Sequence, residues 1–437
     1  MYPSDCKITH GCLFNHCYIF LIKTNFCSLK DAHAVVLPAF KKHFNRMNSI
    51  LFFYRNNKYF ASAFLYCCFS LIFSTWVTYI PTIAEKIGIT EGRIGKAIFF
   101  SALGAFFMIR ICRHFIDKVG VGRYTYFSLI AYCIFFYGPF LAYNYETLCI
   151  SLFFFGMASS SYSISLNTLT ATIERQDKVY IMSRSHGFWS MGGMIGAATG
   201  SLIAVLLHNP ILHVSIVAAI ILLIQTKLRH HYYSRKGEPQ IIEKHKRTNL
   251  KPLYIIAAVG LVMMVSEGAI ADWSALYLKK IILLNLKYIG FGYSAFSLAM
   301  MLGRFTGDSL SKRLGSWQLI MYSGLIGILG FLLVLILNPV ASILGFFIVG
   351  LGFSVVVPEV YRLASNVNGV KTADGVSFVA ATSNIGFLVG PVLLGFIAEL
   401  KSLHLSYMVL TVFVSFAFFI ALWKYKTSKP DKTPAAF

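Results

Sequence analysis

Charge is scarce in this chain of 437 residues: 13% are Asp, Glu, Lys or Arg, and only 17 are acidic, against about 25% charged residues in soluble domains. A water-facing globular surface cannot be assembled from so few. Absent too are a Gly-rich phosphate loop closed by Lys-Ser or Lys-Thr and any nucleophile constellation, so ATP-driven pumping is disfavoured and an enzyme is not expected. The nine cysteines are odd in number and scattered, which implies no disulfide framework. Cys67, Cys68, Cys112, Cys133 and Cys149 fall in apolar stretches as small hydrophobic residues. Cys6, His10, Cys12, His16 and Cys17 match no standard ligand spacing, and neither a metal nor a cofactor is expected.

What the chain has instead is hydrophobicity, 57% of its residues, arriving in long runs. A hydrocarbon core of about 30 Å needs roughly 20 apolar residues of helix. Charge-free windows of that order lie between residues 58 and 85, 123 and 146, 146 and 174, 374 and 399, and 401 and 424. Two windows, 184–227 and 313–359, are too long for one crossing. Each contains an Asn-Pro pair suited to a turn, Asn209-Pro210 and Asn338-Pro339, and so divides in two. Further spans at about 93–111, 252–278 and 288–303 bring the count to twelve. The expected fold class is an all-α integral membrane protein, with twelve transmembrane helices in two pseudo-symmetric halves of six.

Residues 1–46 fit this pattern poorly, because their apolar stretch at 12–22 is too short to span. They read as an atypical leader separate from the membrane domain, with Met47 a candidate start. The expected halves are 47–226 and 252–424, joined by a basic cytoplasmic linker, 227–251, and followed by a cytoplasmic tail, 425–437. The formal charge of +22 does not point to nucleic acid, since Lys and Arg sit in short clusters between apolar runs. Arg110, Arg113, Lys118 and Arg123, then Arg175, Lys178 and Arg184, then Lys312 and Arg313, then Arg362 and Lys371 fall in one alternating set of loops. The positive-inside rule makes that set cytoplasmic, with both termini inside and the chain multi-pass in the cell (inner) membrane. Lys279, Lys280 and Lys287, between the seventh and eighth spans, are an exception.

The halves echo one another. Asp117-Lys118-Val119-Gly120 recurs 191 residues later as Asp308, followed by Lys312-Arg313-Leu314-Gly315. The stretch from Asp117 to Arg123 resembles the signature of the major facilitator superfamily, in which an acidic residue is followed by a basic residue, a glycine and further basic residues. Glu267-Gly268-Ala269-Ile270-Ala271-Asp272-Trp273, Leu302-Gly303-Arg304, and Ser185-His186-Gly187-Phe188-Trp189 resemble the bacterial branch that includes rhizopine-transport-type proteins. The chain departs from that branch at Tyr79 and Ser163, where an arginine and an acidic residue are frequent. The resemblance implies a secondary transporter that moves a small solute by alternating access. It also implies a conformational latch drawn from Asp117, Lys118, Gly120, Arg123, Arg304 and Asp308. A transporter-like receptor that binds solute without turnover is the other reading.

Polar groups inside the spans complete the candidate site. A charge at the bilayer centre costs at least about 2.5 kcal/mol on insertion scales, so such residues face a cavity or a partner. Glu267, in the middle of the seventh span and without a basic neighbour on its own helix, is the leading candidate for proton coupling. Asp272 lies five residues on, about 140° around the helix. Asn167 and Asn384 are candidates for binding solute. The expected partners are a small-molecule substrate, H+ and the lipid bilayer, with the protein a monomer. His186 reads more readily as a helix-end residue than as a proton relay. Glu359 and Arg362, three apart, suit a local ion pair, and Gly192, Gly193, Gly196 and Gly200 suit tight packing between helices.

Overall fold

Two Asn-Pro pairs start helices where the long apolar windows had to divide. Asn209 accepts the backbone N–H of Leu212, and Asn338 those of Val340 and Ala341, while the following proline takes the first helical position. That position needs no donor, and the amide side chain satisfies donors the helix leaves free. The computed structural model describes residues 55–179, 181–236 and 249–427. The expected leader, residues 237–248 of the linker and the tail beyond Thr427 lie outside the described residues.

The long helices are α1 (Asn57–Ile87), α2 (Glu91–Val119), α3 (Val121–Phe136), α4 (Tyr145–Asp177), α5 (Met182–Leu207) and α6 (Pro210–Leu228). After the linker come α7 (Tyr254–Lys280), α8 (Phe291–Leu314), α9 (Ser316–Val334), α10 (Pro339–Phe353), α11 (Thr372–Leu400) and α12 (Leu403–Thr427). Short helices extend α3 as Gly138–Leu141 and α10 as Val356–Ser365. Among the described residues, eleven segments are long and apolar enough to cross a bilayer. The twelfth helix, α8, has the length but is more polar, because Arg304, Asp308, Lys312 and Arg313 lie in its second half.

Two spans are longer than the charge-free windows suggested. The second continues past residue 111 to Val119, and the eighth past residue 303 to Leu314. Charge ends an apolar window but not a helix, whose backbone bonds continue as the helix leaves the hydrocarbon. Asp117 and Lys118 therefore lie on the last turn of α2, and Asp308 lies within α8; none of the three is in a loop.

The repeat is visible at the corners. Gly120 between α2 and α3, and Gly315 between α8 and α9, have φ of +94° and +77°. Side chains other than glycine are strained there, so both halves need a glycine at this turn. A second repeat ties the first helix of each half to its last. The Tyr79 hydroxyl meets His213 Nδ1 at 3.1 Å, and the Tyr277 hydroxyl meets His404 Nδ1 at 3.1 Å.

The described residues from Ala61 on form one compact unit. Within this unit α2 packs on α4 and α4 on α3, while α7 packs on α11, α8 and α9 on α10, and α9 on α12. Two seams join the halves, α5 against α8 and α2 against α11. Small residues make both close. A Cβ added at Gly290 of the α7–α8 loop would strike the carbonyl of Ala197, and one at Gly95 would strike the backbone of Gly395. The glycine cluster of α5 packs in the same way against α1, Gly192 on the backbone of Cys67 and Gly196 on Ser74.

Candidate functional site

Arg304 projects from α8 into the α5–α8 seam, where small and hydroxylated side chains leave room for it. Its Nη1 donates to Ser190 Oγ at 2.7 Å and to the His186 carbonyl at 3.2 Å. Its Nη2 lies 3.7 Å from Glu267 Oε1, with both side chains 13% exposed. One guanidinium thus joins α5 of the first half to α7 and α8 of the second. Read from sequence, Glu267 stood alone and Arg304 belonged with the latch residues. The structure pairs them, because α8 supplies the cation that the helix carrying Glu267 lacks.

Around this pair lie polar and aromatic groups from both halves. Tyr66 on α1 donates to Asn167 Oδ1 at 2.8 Å, and Asn167 Nδ2 donates to the Ser163 carbonyl at 2.8 Å. The ring of His186 lies 5.2 Å from that of Tyr66. Phe73 of α1 meets Trp189 of α5, Tyr293 of α8 and Phe387 of α11, at centroid separations of 6.1, 6.4 and 6.4 Å. Asn384 is exposed and lies one turn before Phe387 on α11, close to the same face. These four rings were in the sequence, but so many Phe and Tyr residues surround them that nothing singled them out.

Asp272 is different from Glu267. Its side chain is 5% exposed and makes no hydrogen bond or ion pair with any described residue. Tyr293 lies within electrostatic reach of both acids. The neighbouring Trp273 turns to α11 and donates its indole N–H to the Pro391 carbonyl at 2.9 Å. Pro391 sits inside α11 and has no N–H, so the Phe387 carbonyl lacks its intrahelical donor, and Gly268 of α7 packs directly against it. The α7–α11 seam is therefore irregular beside Asp272.

Three ion pairs cross between the halves at the end bearing the α1–α2 and α7–α8 loops. Lys279 Nζ lies 2.6 Å from Glu85, Lys280 Nζ 2.5 Å from Glu91, and Lys96 Nζ 3.4 Å from Glu399. Lys86, on the same end, donates to the carbonyls of Phe140 and Ala142. Of the lysines that broke the loop-charge pattern, Lys279 and Lys280 are thus matched by acids, while Lys287 lies over the ring of Tyr288 at 4.6 Å.

At the opposite end the contacts described for the signature residues lie within their own half. Asp117 pairs with Arg113 of α2 at 3.7 Å, and Arg123 lies over the ring of Tyr233 at 5.8 Å. The amide of Gly122 donates to the carbonyl of Arg235, which follows α6, and Arg235 reaches Asp177 at the end of α4 at 3.7 Å. Lys118 is exposed. The side chain of Asp308 lies outside the described residues. Glu359 and Arg362 form a local pair at 2.8 Å, with Glu359 buried.

Comparison with known proteins agrees with this geometry. Residues 62–373 match the family model of the Major Facilitator Superfamily. An uncharacterized MFS-type transporter of Yersinia pestis is 25% identical over 343 residues, 76% of this chain and 87% of that protein. The membrane protein MosC of Rhizobium meliloti is 29% identical over 341 residues, 78% of this chain and 83% of MosC. Among solved structures, the nucleoside transporter NupG superposes with a TM-score of 0.65 at 14% identity, covering 85% of this chain and all of NupG, a likeness of fold. A family match over most of the chain, twelve long helices in two halves among the described residues and a charged centre bridging them together make this chain a member of the major facilitator superfamily of membrane transporters.

Proposed function

We propose that the chain is a secondary transporter that carries a small solute by alternating access, driven by a proton gradient. The observation that carries this reading is the position of Arg304, held at once by Ser190 and His186 of one half and by Glu267 of the other. Any rocking of the halves about the α5–α8 seam must strain or break these contacts, so a solute that competes for them couples its binding to the motion. Asn167 and Asn384 supply amides to a hydroxylated solute, while the rings of Phe73, Trp189, Tyr293 and Phe387 offer it an apolar wall.

The ion pairs of Lys279, Lys280 and Lys96 support the alternating part of the reading, since they close one end of the interface. An exposed pair contributes about 0.2–1 kcal/mol, so three bias the closed form by up to about 3 kcal/mol, or about a hundredfold. A bias of that size still allows opening. The charge pattern of the loops supports an orientation with both termini cytoplasmic in the inner membrane, and a single chain contains both halves of the site, which supports action as a monomer.

The test begins with a thermal-shift screen of purified protein against sugars, inositols, amines and organic acids, because a bound ligand raises the melting temperature by mass action. A compound that stabilises the protein is then followed into proteoliposomes with and without a pH step. Accumulation that collapses with the gradient supports proton-driven transport. Binding with no flux in either direction overturns it in favour of a receptor.

A further inference from the structure

The two acids of α7 lie in opposite circumstances. Glu267 has a cation beside it, and Arg304 is fixed independently by Ser190 and His186. Asp272 is buried to 95% with no partner among the described residues, beside an irregular α11. We propose that Asp272 binds and releases the coupling proton, and that Glu267 stays ionised against Arg304 as part of the solute site. This rests on the transport reading above and names the residue that reading leaves open.

The surroundings of Asp272 support the assignment. Tyr293 of α8 is the titratable group near it on that helix, and it is neutral as either donor or acceptor. His404 of α12 is committed to Tyr277, Lys96 of α2 to Glu399 of α11, and Lys279 and Lys280 of α7 to Glu85 and Glu91. Glu267 projects about 140° away on the same helix. An ionised Asp272 would therefore be a buried charge with no opposite charge, whereas a protonated carboxyl removes that cost. The step is a proton transfer alone. An O–H bond forms on the Asp272 carboxylate with a proton from one aqueous face, and it breaks to deliver that proton to the other.

Position adds the coupling. Asp272 sits one turn beyond Gly268, whose flank touches the freed Phe387 carbonyl, and next to Trp273, which bonds Pro391 and touches Gly95 of the other half. A change in how α7 meets α11 at this level is thereby felt at the α2–α11 seam between the halves.

Protonation can be read without knowing the solute. Reconstituted full-length protein is titrated by infrared difference spectroscopy, which follows the C=O stretch of protonated carboxyl groups. The wild type should show a band that is lost as pH rises. Asp272→Asn should remove one titrating carboxyl per chain, Asp272→Glu should shift the band and keep it, and Glu267→Gln should leave it in place. Arg304→Ala should add a second titrating band, which Glu267→Gln then removes. No titrating band in the wild type, or a band lost in Glu267→Gln and kept in Asp272→Asn, overturns the proposal. Unchanged helical circular dichroism in each variant guards against misfolding, and the Asp272→Glu band gives an independent check. Presence of the band in a protein that moves no solute would leave Asp272 as a proton site while overturning the transport reading.

Discussion

Lys279 at the end of α7 lies 2.6 Å from Glu85 at the end of α1, so a lysine on the charge-poor side of the loop pattern is an ion pair between the halves. Removing it should favour the form in which that end is open. A cysteine at Ser294, buried in the α5–α8 seam near this end, reports the opening by its alkylation rate. Glu85→Ala should raise that rate by up to about fivefold, the equivalent of 1 kcal/mol. The exchange Glu85→Lys with Lys279→Glu should restore it. An unchanged rate in Glu85→Ala would show that the pair does not hold this end closed.

Steric contact at the same end makes a separate prediction. A side chain at Gly95 strikes the backbone of Gly395, which cannot retreat without moving a helix, and reaches the ring of Trp273. Gly95→Val should therefore raise labelling at position 294 more than loss of any single ion pair. It should also abolish crosslinking between cysteines placed at Lys96 and Glu399. Retained crosslinking would mean that α2 and α11 accommodate the extra methyl groups while closed.

The helices were readable because lipid imposes one length on apolar runs, and the Asn-Pro pairs divided the two long windows at the observed turns. The ends of α2 and α8 were not, since a helix can carry charge past the hydrocarbon boundary. Within the site, Glu267 and Asp272 could be picked out as charges inside a span, yet their difference could not. It depends on Arg304, 37 positions away in sequence, and on the rotation at which α8 packs against α5. The loop lysines looked anomalous for the same reason: their acids Glu85 and Glu91 come from the other half of the chain.

The repeated tyrosine–histidine pairs should not be equivalent. Tyr79 meets only His213 among the described hydrogen bonds, while Tyr277 also donates to the Val334 carbonyl at 3.1 Å. Side-chain hydrogen bonds inside membrane proteins contribute about 0.6 kcal/mol on average. Tyr79→Phe should thus cost about 0.6 kcal/mol, and Tyr277→Phe about twice that. Reversible unfolding in mixed micelles compares the two, and equal losses would argue that the Val334 bond contributes nothing.

The central pair should respond unequally to loss of its members. Arg304→Ala leaves Glu267 buried with no opposite charge, and breaking a buried pair in this way costs about 3–5 kcal/mol. Exposure of 13% on each side chain lets some water relieve the charge, which places the expected loss near the lower end of that range. Glu267→Gln is milder, because Arg304 keeps Ser190 and the His186 carbonyl as acceptors. Adding Glu267→Gln to Arg304→Ala should then raise stability above that of Arg304→Ala alone, since it removes the stranded carboxylate. Arg304→Lys should recover less than half of the loss, because a single ammonium cannot face Ser190, the carbonyl and Glu267 with the planar spread of a guanidinium. Melting temperatures of the wild type and these four variants in one detergent decide the matter. If the double variant melts below Arg304→Ala, Glu267 is stabilised by something other than the arginine, and the pair is not the unit that joins the halves.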